Sequence, residues 1–381
     1  MELVWATDDY VIAGRPYPSF PILLWDTMES CVPVNEFLRH YLLRGSIGSK
    51  KSWASTARAL YDFFSYLQSN DLDWRDVDRG NSKNIVAAYR DYCLVDFSLA
   101  RSTTRQRLIY ICKFYEYALS AGWVRKLPFD YEERFTKRDA GYFAHIDATG
   151  AKVLANNLMP RPHKNPPKFL NLIQIQKLLK SAENPHHRMM IRLALQSGLR
   201  REEISTFPLA YVLKANNADS AHRNIRIRID PFDGHGILTK GSKPRDIYLS
   251  KRLISDLHRY VVQLRGERSS LSTEKHENLF LNHYGEPFSN DGKSIERIVR
   301  NIGTKAGVKV YPHMLRHTYA THTLSALQRK GSDIEPLVFV QRQLGHTSIH
   351  STMIYLHLIN EMADSAVLAY DDELNCFLES I

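Results

Sequence analysis

The chain has 381 residues, 44% of them hydrophobic and 24% charged, which is too long for one ordinary core and globular rather than disordered in composition. Its net charge of +10 is unevenly spread: residues 1–30 set five acids against Arg15, a net of −4, and residues 361–381 hold six acids and no base, a net of −6, leaving +20 for residues 31–360. A basic body between acidic ends favours a polyanion partner over a plain solvated surface. No apolar run approaches the roughly 20 residues of a membrane span, and Asp8 and Asp9 stand where a signal peptide needs positive charge. Cys31, Cys93, Cys112 and Cys376 lack paired metal spacing and read as reduced thiols. The expectation is a soluble, intracellular protein.

After the acidic segment 1–30, the stretch 31–135 has helical spacing and many aromatics, in "VNEFLRHYLL", "SWASTARALYDFFSYLQ", "SKNIVAAYRDYCL" and "STTRQRLIYICKFYEYALSAG". In the last of these Leu108, Ile111, Cys112, Tyr115, Ala118 and Leu119 share a face, with Ser102 or Thr103 available as cap. The other face is basic: residues 101–126 hold Arg101, Arg105, Arg107, Lys113, Arg125 and Lys126 against the single acid Glu116. Such a helix can pack one side and lie against DNA with the other, or be an ordinary surface helix. Residues 136–168, ending "MPRPHKNPPK", read as an irregular linker, because prolines so closely spaced cannot continue a helix.

The second domain, 169–360, mixes helix and strand. Asn171 and Gln174 form a capping-box pair before "LIQIQKLLKSA". The segments "NIRIRID", "GILTK" and "RDIYLS" predict a small antiparallel sheet, with "GSKP" as a turn and Lys240 at it. Helical patterns resume in "SIERIVRNIGTKAG", "PHMLRHTYATHTLSALQRK" and "EPLVFVQRQL", the last stopped by Gly345.

The chemistry concentrates here. His313 and His317 are four apart and could face one metal ion, but Met314 stands where a zinc-protease motif needs glutamate and no carboxylate lies nearby. No metal site and no cofactor is expected. His313 and Arg316, three apart, can instead meet one phosphate, the arginine as a permanent bidentate donor. In "SGLRREEI" Arg200 follows Gly198 at a turn into a helix, and Glu203 three residues on can hold its guanidinium. Arginines, histidines and a lysine around a phosphodiester would stabilise the charge developing as a fifth oxygen adds, roughly 3 kcal/mol per preorganised donor by analogy with acyl transfer. The nucleophile on offer is Tyr355, nine residues after His346. Its hydroxyl is weak at an ordinary pKa of about 10, and nearby cations lower the cost of the phenolate.

These boxes, in this order, resemble the catalytic domain of the tyrosine recombinases, the phage-integrase family. "SGLRREEI" is similar to the first arginine box, "LTKGSKPRDIYL" to the lysine hairpin, "PHMLRHTYATH" to the His-x-x-Arg box and "LGHTSIHSTMIYLH" to the closing His and Tyr box, together covering about Phe169 to His357. The resemblance implies a two-domain protein: an all-α, SAM-like core-binding domain, then a mixed α+β, mainly helical catalytic domain with a small antiparallel sheet. It implies a site-specific DNA recombinase that cuts and rejoins through a 3′-phosphotyrosine on Tyr355, with Arg200 and Arg316 on the nonbridging oxygens and His313 and His346 assisting. Lys240 is the implied general acid for the leaving 5′-oxygen with Lys243 as competitor, and Glu203 gives acidic support. DNA contacts are expected from Arg101, Arg105, Arg107, Lys113, Lys243 and Arg245, while His317, His322, His350 and His357 are expected to pack or line the DNA face. Implied partners are double-stranded recombination sites, a homotetramer on DNA that is monomeric or weakly associated when free, and an accessory directionality factor. The acidic tail 361–381 could dock on a neighbouring protomer or fold on its own chain.

The span from Arg316 to His346 and the linker are longer than the family pattern, and the acidic start predicts no arm-binding module. Two rivals stand beside this reading. A type IB topoisomerase would reseal the original partners, so junction sequencing separates it. A catalytically inactive DNA-binding protein would form no covalent adduct.

Overall fold

The aromatic and aliphatic residues of the first third recur at helical spacing, and in the computed structural model they build the helices α1 (Val32–Leu43), α2 (Lys51–Ser69), α3 (Ile85–Asp91) and α4 (Arg101–Ser120). The structure describes residues 1–44, 50–79, 83–135, 152–161, 166–217, 223–289, 291–330, 335–349 and 351–356. It divides into two compact units, Met1–Lys164 and Asn165–Ile381. The tail 361–381, with Cys376, lies outside the described residues, as do His350 and His357.

In the first unit Asn84 starts α3 by accepting from the Val86 and Ala87 amides at 2.8 and 3.3 Å. On α4 the expected Leu108, Ile111, Cys112, Tyr115 and Ala118 are buried. Leu119 is exposed, and the N-cap is Ala100 rather than Ser102 or Thr103. The core is dense in rings, with Phe114 edge-on to Phe37, Phe64 and Trp74. A buried ring of this kind contributes on the order of 2 kcal/mol. Cys31, Cys93 and Cys112 are buried free thiols, and burial raises Cys31 and Cys112 to about 12.

Three expectations need correction. The unit is not all-α, and residues 1–30 are not a bare acidic segment. They form β1 (Glu2–Trp5), β2 (Val11–Ile12), β3 (Arg15–Pro16) and β4 (Pro21–Leu24), with β1 antiparallel to β4 and β2 to β3. Phe20 and Leu23 enter the helical core, while Glu2, Asp8, Asp9, Asp26 and Glu29 remain exposed. The attachment is made by Asn35 of α1: its carboxamide accepts from the Leu23 amide at 2.8 Å and donates to the Leu23 carbonyl at 2.8 Å. The expected linker also carries structure, since β6 (Lys152–Asn156) pairs antiparallel with β5 (Tyr131–Phe135). The prolines that break helices lie after this hairpin and do not oppose it.

The second unit opens with α5 (Leu172–Ser181), started by the Asn171–Gln174 capping box, with both reciprocal bonds made, at 2.8 and 3.0 Å. Then come α6 (Pro185–Ser197), α7 (Arg201–Ser205) and α8 (Leu209–Asn216). Among the described residues of this unit one antiparallel pair, β7 (Asn224–Ile229) with β8 (Arg245–Ser250), alternates buried and exposed residues as its sequence predicts. "GILTK" is not a strand: Ile237 is buried while Leu238, exposed, donates its amide to the Thr206 hydroxyl at 3.0 Å. After β8 follow α9 (Lys251–Tyr260), α10 (Gly266–Ser269), α11 (Lys293–Lys305), α12 (Pro312–Lys330) and α13 (Pro336–Leu344). Helix α12 packs along α6 and α13, and Leu193, Phe207, Ile247, Leu257, Phe280, Val299 and Leu315 share one core. The protein is mainly helical with small antiparallel sheets. Among the described residues no helix is long and apolar enough to cross a membrane.

Candidate active site

Helix α6 ends at Gly198, whose left-handed φ of 67° turns the chain toward α7. A Cβ there would lie 2.6 Å from Tyr319 Cδ1 and 2.7 Å from Leu344 Cδ2, so the turn admits only glycine. Two residues later Arg200 caps α7. Its amide donates to Glu203 Oε2 at 2.8 Å, its Nη1 to Glu203 Oε1 at 3.0 Å and its Nη2 to the Gly345 carbonyl at 3.3 Å. The predicted hold of Glu203 on Arg200 is therefore present.

Arg316 approaches the same turn from α12. It is buried, and donates to the Gly198 carbonyl at 2.7 Å and the Leu344 carbonyl at 2.6 Å. The carbonyls of Leu344 and Gly345 thus take one arginine each, and the two guanidinium groups meet at the end of α13. That helix stops at Gly345, φ 66°, as the sequence predicts. His346 follows, its amide bonded to the Gln341 carbonyl at 3.0 Å and its Nδ1 to Thr352 Oγ1 at 3.0 Å. Residues 351–356 form a helical turn that presents Tyr355, 1% exposed, with its ring stacked near His346 at 6.4 Å. The Tyr355 hydroxyl is hydrogen-bonded to His317 Nδ1 at 2.9 Å. His313, one helical turn before His317, lies with its ring centroid 4.4 Å away and its side chain open to solvent.

The electrostatics follow from this crowding of cations. Burial lowers Arg316 to about 9 and the Arg200 charge adds to the effect, while Glu203 opposes it. His317 falls to about 3 and His346 to about 4, first through burial and then through neighbouring positive groups. His313 moves down for the same reasons, with Arg316, Arg200 and Lys240 as the acting charges. Burial lifts Tyr355 to about 12, against the pull of Arg316 and Arg200. Burial would raise Glu203, but the hydrogen bonds and charge of Arg245, with Arg200, hold it at about 2. Such a site disfavours added positive charge and favours an entering anion.

Lys240 sits exposed on a short turn, Lys240–Ser242, just before β8, with Gly241 at φ 70°, and its charge reaches His313. Lys243 is exposed nearby. Arg245, expected on a DNA surface, points inward: its Nη1 and Nη2 each donate to Glu203 at 2.7 Å and its Nε to the Gln343 carbonyl at 3.3 Å. A buried carboxylate needs its charge balanced, and Arg245 supplies that balance. In the first unit Arg107 joins Asp62, Arg105 donates to the Pro160 carbonyl at 3.2 Å and Lys113 to Glu116 at 2.7 Å, while Arg101 is exposed. His322 donates through Nε2 to the Leu170 carbonyl, 2.8 Å away, in a packing role. Gln343, buried and bonded to Tyr248 and Ser197, had no signal in the sequence, and His317 was expected to pack or line the DNA face. Among the described residues no three His, Cys, Asp or Glu side chains come together as a metal-binding group.

Two arginines, histidines and a tyrosine hydroxyl gather at one turn, on a mainly helical frame with small antiparallel hairpins. Residues 168–362, just over half of the chain, match the phage integrase family, and the chain belongs to it. It is 26% identical to tyrosine recombinase XerA of Pyrococcus horikoshii over 81% of this chain and 92% of that protein. It is also 26% identical to tyrosine recombinase XerD of Rickettsia bellii over 88% and 97%. The solved structure of the XerH site-specific recombinase bound to its difH substrate shares the fold, with TM-score 0.53 and 18% identity over 89% of this chain and 90% of that one. The activity is that of a site-specific tyrosine recombinase.

Proposed function

We propose that Tyr355 attacks the scissile phosphodiester, forming a 3′-phosphotyrosine and freeing a 5′-hydroxyl, and that the reverse attack by a 5′-hydroxyl rejoins the strand. Arg200 and Arg316 stabilise the nonbridging oxygens, His313 and His346 add hydrogen bonds, and Lys240 protonates the leaving 5′-oxygen. Glu203 fixes Arg200, with Arg245 as its counter-ion. The observation that supports this reading most is the meeting of Arg200 and Arg316 on adjacent carbonyls, Gly345 and Leu344, beside the segment that carries Tyr355. The shared ester keeps the energy of the broken strand, so no high-energy cofactor is required.

Arg101 and the exposed Lys243 are proposed DNA contacts, whereas Arg105, Arg107 and Lys113 would have to leave their present partners to serve. Paired sites held by a homotetramer, a chain that is monomeric or weakly associated when free, and an accessory directionality factor complete the proposal. The test is a nicked suicide duplex bearing the target site. Tyr355→Phe should lose the covalent protein–DNA adduct on a denaturing gel while gel-shift affinity changes less than about twofold. An adduct that persists would assign the nucleophile elsewhere.

A further inference from the structure

Resting on the strand-transfer reading above, we propose that His317 is the group that takes the Tyr355 phenolic proton during cleavage and returns it during rejoining. Its Nδ1 is 2.9 Å from the Tyr355 hydroxyl oxygen, within the reach a general base needs. The other basic groups nearby are otherwise placed. His346 Nδ1 bonds Thr352 Oγ1, and its ring lies alongside the Tyr355 ring at an interplanar angle of 12°. His313 opens to solvent, and Glu203 is held by Arg245 and Arg200. His317 follows Arg316 directly on α12, so one rigid helix holds both a phosphate-binding guanidinium and the hydroxyl's partner.

The proton count closes. The Tyr355 O–H bond breaks, the proton passes to Nδ1 of an imidazole that carries its hydrogen on Nε2, and the phenolic oxygen bonds phosphorus. The bond from phosphorus to the 5′-oxygen breaks, and that oxygen takes the Lys240 proton. In rejoining each proton returns. The charged and titratable groups facing His317 are His313 and Arg316 on its own helix, His346 after α13, and Tyr355 itself. Before DNA enters, burial first and then the Arg316 charge keep the imidazole neutral and able to accept. A bound phosphodiester places negative charge beside it and makes the imidazolium tolerable. Proton transfer thereby becomes coupled to occupation of the phosphate site.

The test uses the full chain and single-turnover adduct formation on the nicked duplex. His317→Ala should slow the reaction about 100-fold or more with unchanged gel-shift affinity. His317→Gln, which keeps an acceptor but cannot carry the proton away, covers the case of an unfolded alanine variant and should be equally slow with a wild-type melting curve. Site-specific 3-fluorotyrosine at position 355, a more acidic phenol, should shrink the His317→Gln deficit. A substrate with sulfur as the 5′ leaving atom should restore Lys240→Ala and not His317→Gln. Wild-type rates in His317→Gln, or a deficit indifferent to phenol acidity, would overturn the proposal and leave His317 a positioning residue. Persistence of the adduct in Tyr355→Phe would instead overturn the underlying reading.

Discussion

Glu203 is fully buried between two guanidinium groups, and its folded value of about 2 lies below its ordinary 4.5. A carboxyl held down in this way contributes stability that is complete above about pH 4.5 and is lost as pH falls toward 2, on the order of 3 kcal/mol in all. Glu203→Gln should therefore lower the unfolding free energy at pH 7 by about 3 kcal/mol, leaving Arg245 buried without a counter-ion. In urea titrations the gap from wild type should narrow between pH 4.5 and pH 3; a constant gap would refute the ionic account. The contact of Arg200 with Glu203 was legible because three residues separate them on one helical turn. Arg245 was not, because it lies 42 residues away in a run whose bases suggest a solvated hairpin. The bond of His317 to Tyr355 was not legible for a related reason: helical spacing shows that His313 and His317 share a face but not which side chain that face meets.

At the scale of elements, the helices were legible wherever apolar residues recur at helical spacing and the caps are local, as at Asn171 and Gly345. The amino-terminal strands escaped because they are four residues or fewer and their acids suggest solvent exposure. Their stability comes from tertiary attachment rather than from pairing, since an isolated two-stranded hairpin is marginal in water. Asn35 is that attachment. Asn35→Ala would strand the Leu23 amide in the core, the Leu23 carbonyl keeping the Cys31 amide at 3.0 Å, and should cost about 1–3 kcal/mol in urea unfolding with increased proteolytic cleavage before Val32. Asn35→Asp keeps the acceptor and loses the donor, and should rank between wild type and alanine.

For the molecule as a whole, acid sensitivity should precede carboxylate titration. His186 and His346 are lowered to about 4 and His317 to about 3, with burial the first cause in each. An imidazole that folding keeps neutral favours the native state fully above the unfolded value of about 6.5, and this contribution is lost as pH falls below it. Melting temperature should thus decline between pH 6.5 and pH 4.5, and DNA carrying the target site should offset part of the decline by supplying negative charge to the cations around His317 and His346. His186→Phe, away from the site and next to Tyr260, should flatten the decline in the free protein without changing adduct yield. A flat profile in wild type would show that these histidines protonate within the native state.

By itself the sequence determined what depends on near neighbours and on charge totals: the helices, the caps, the basic body, the four ordered boxes and hence the family. Only the tertiary structure decided what depends on residues far apart in the chain. It chose the partner of Glu203, set Asn35 on β4, brought Arg200 and Arg316 to adjacent carbonyls and put His317 on the Tyr355 hydroxyl. Local periodicity fixes which way a side chain faces along its own element, whereas burial and hydrogen bonding between elements fix what it meets there.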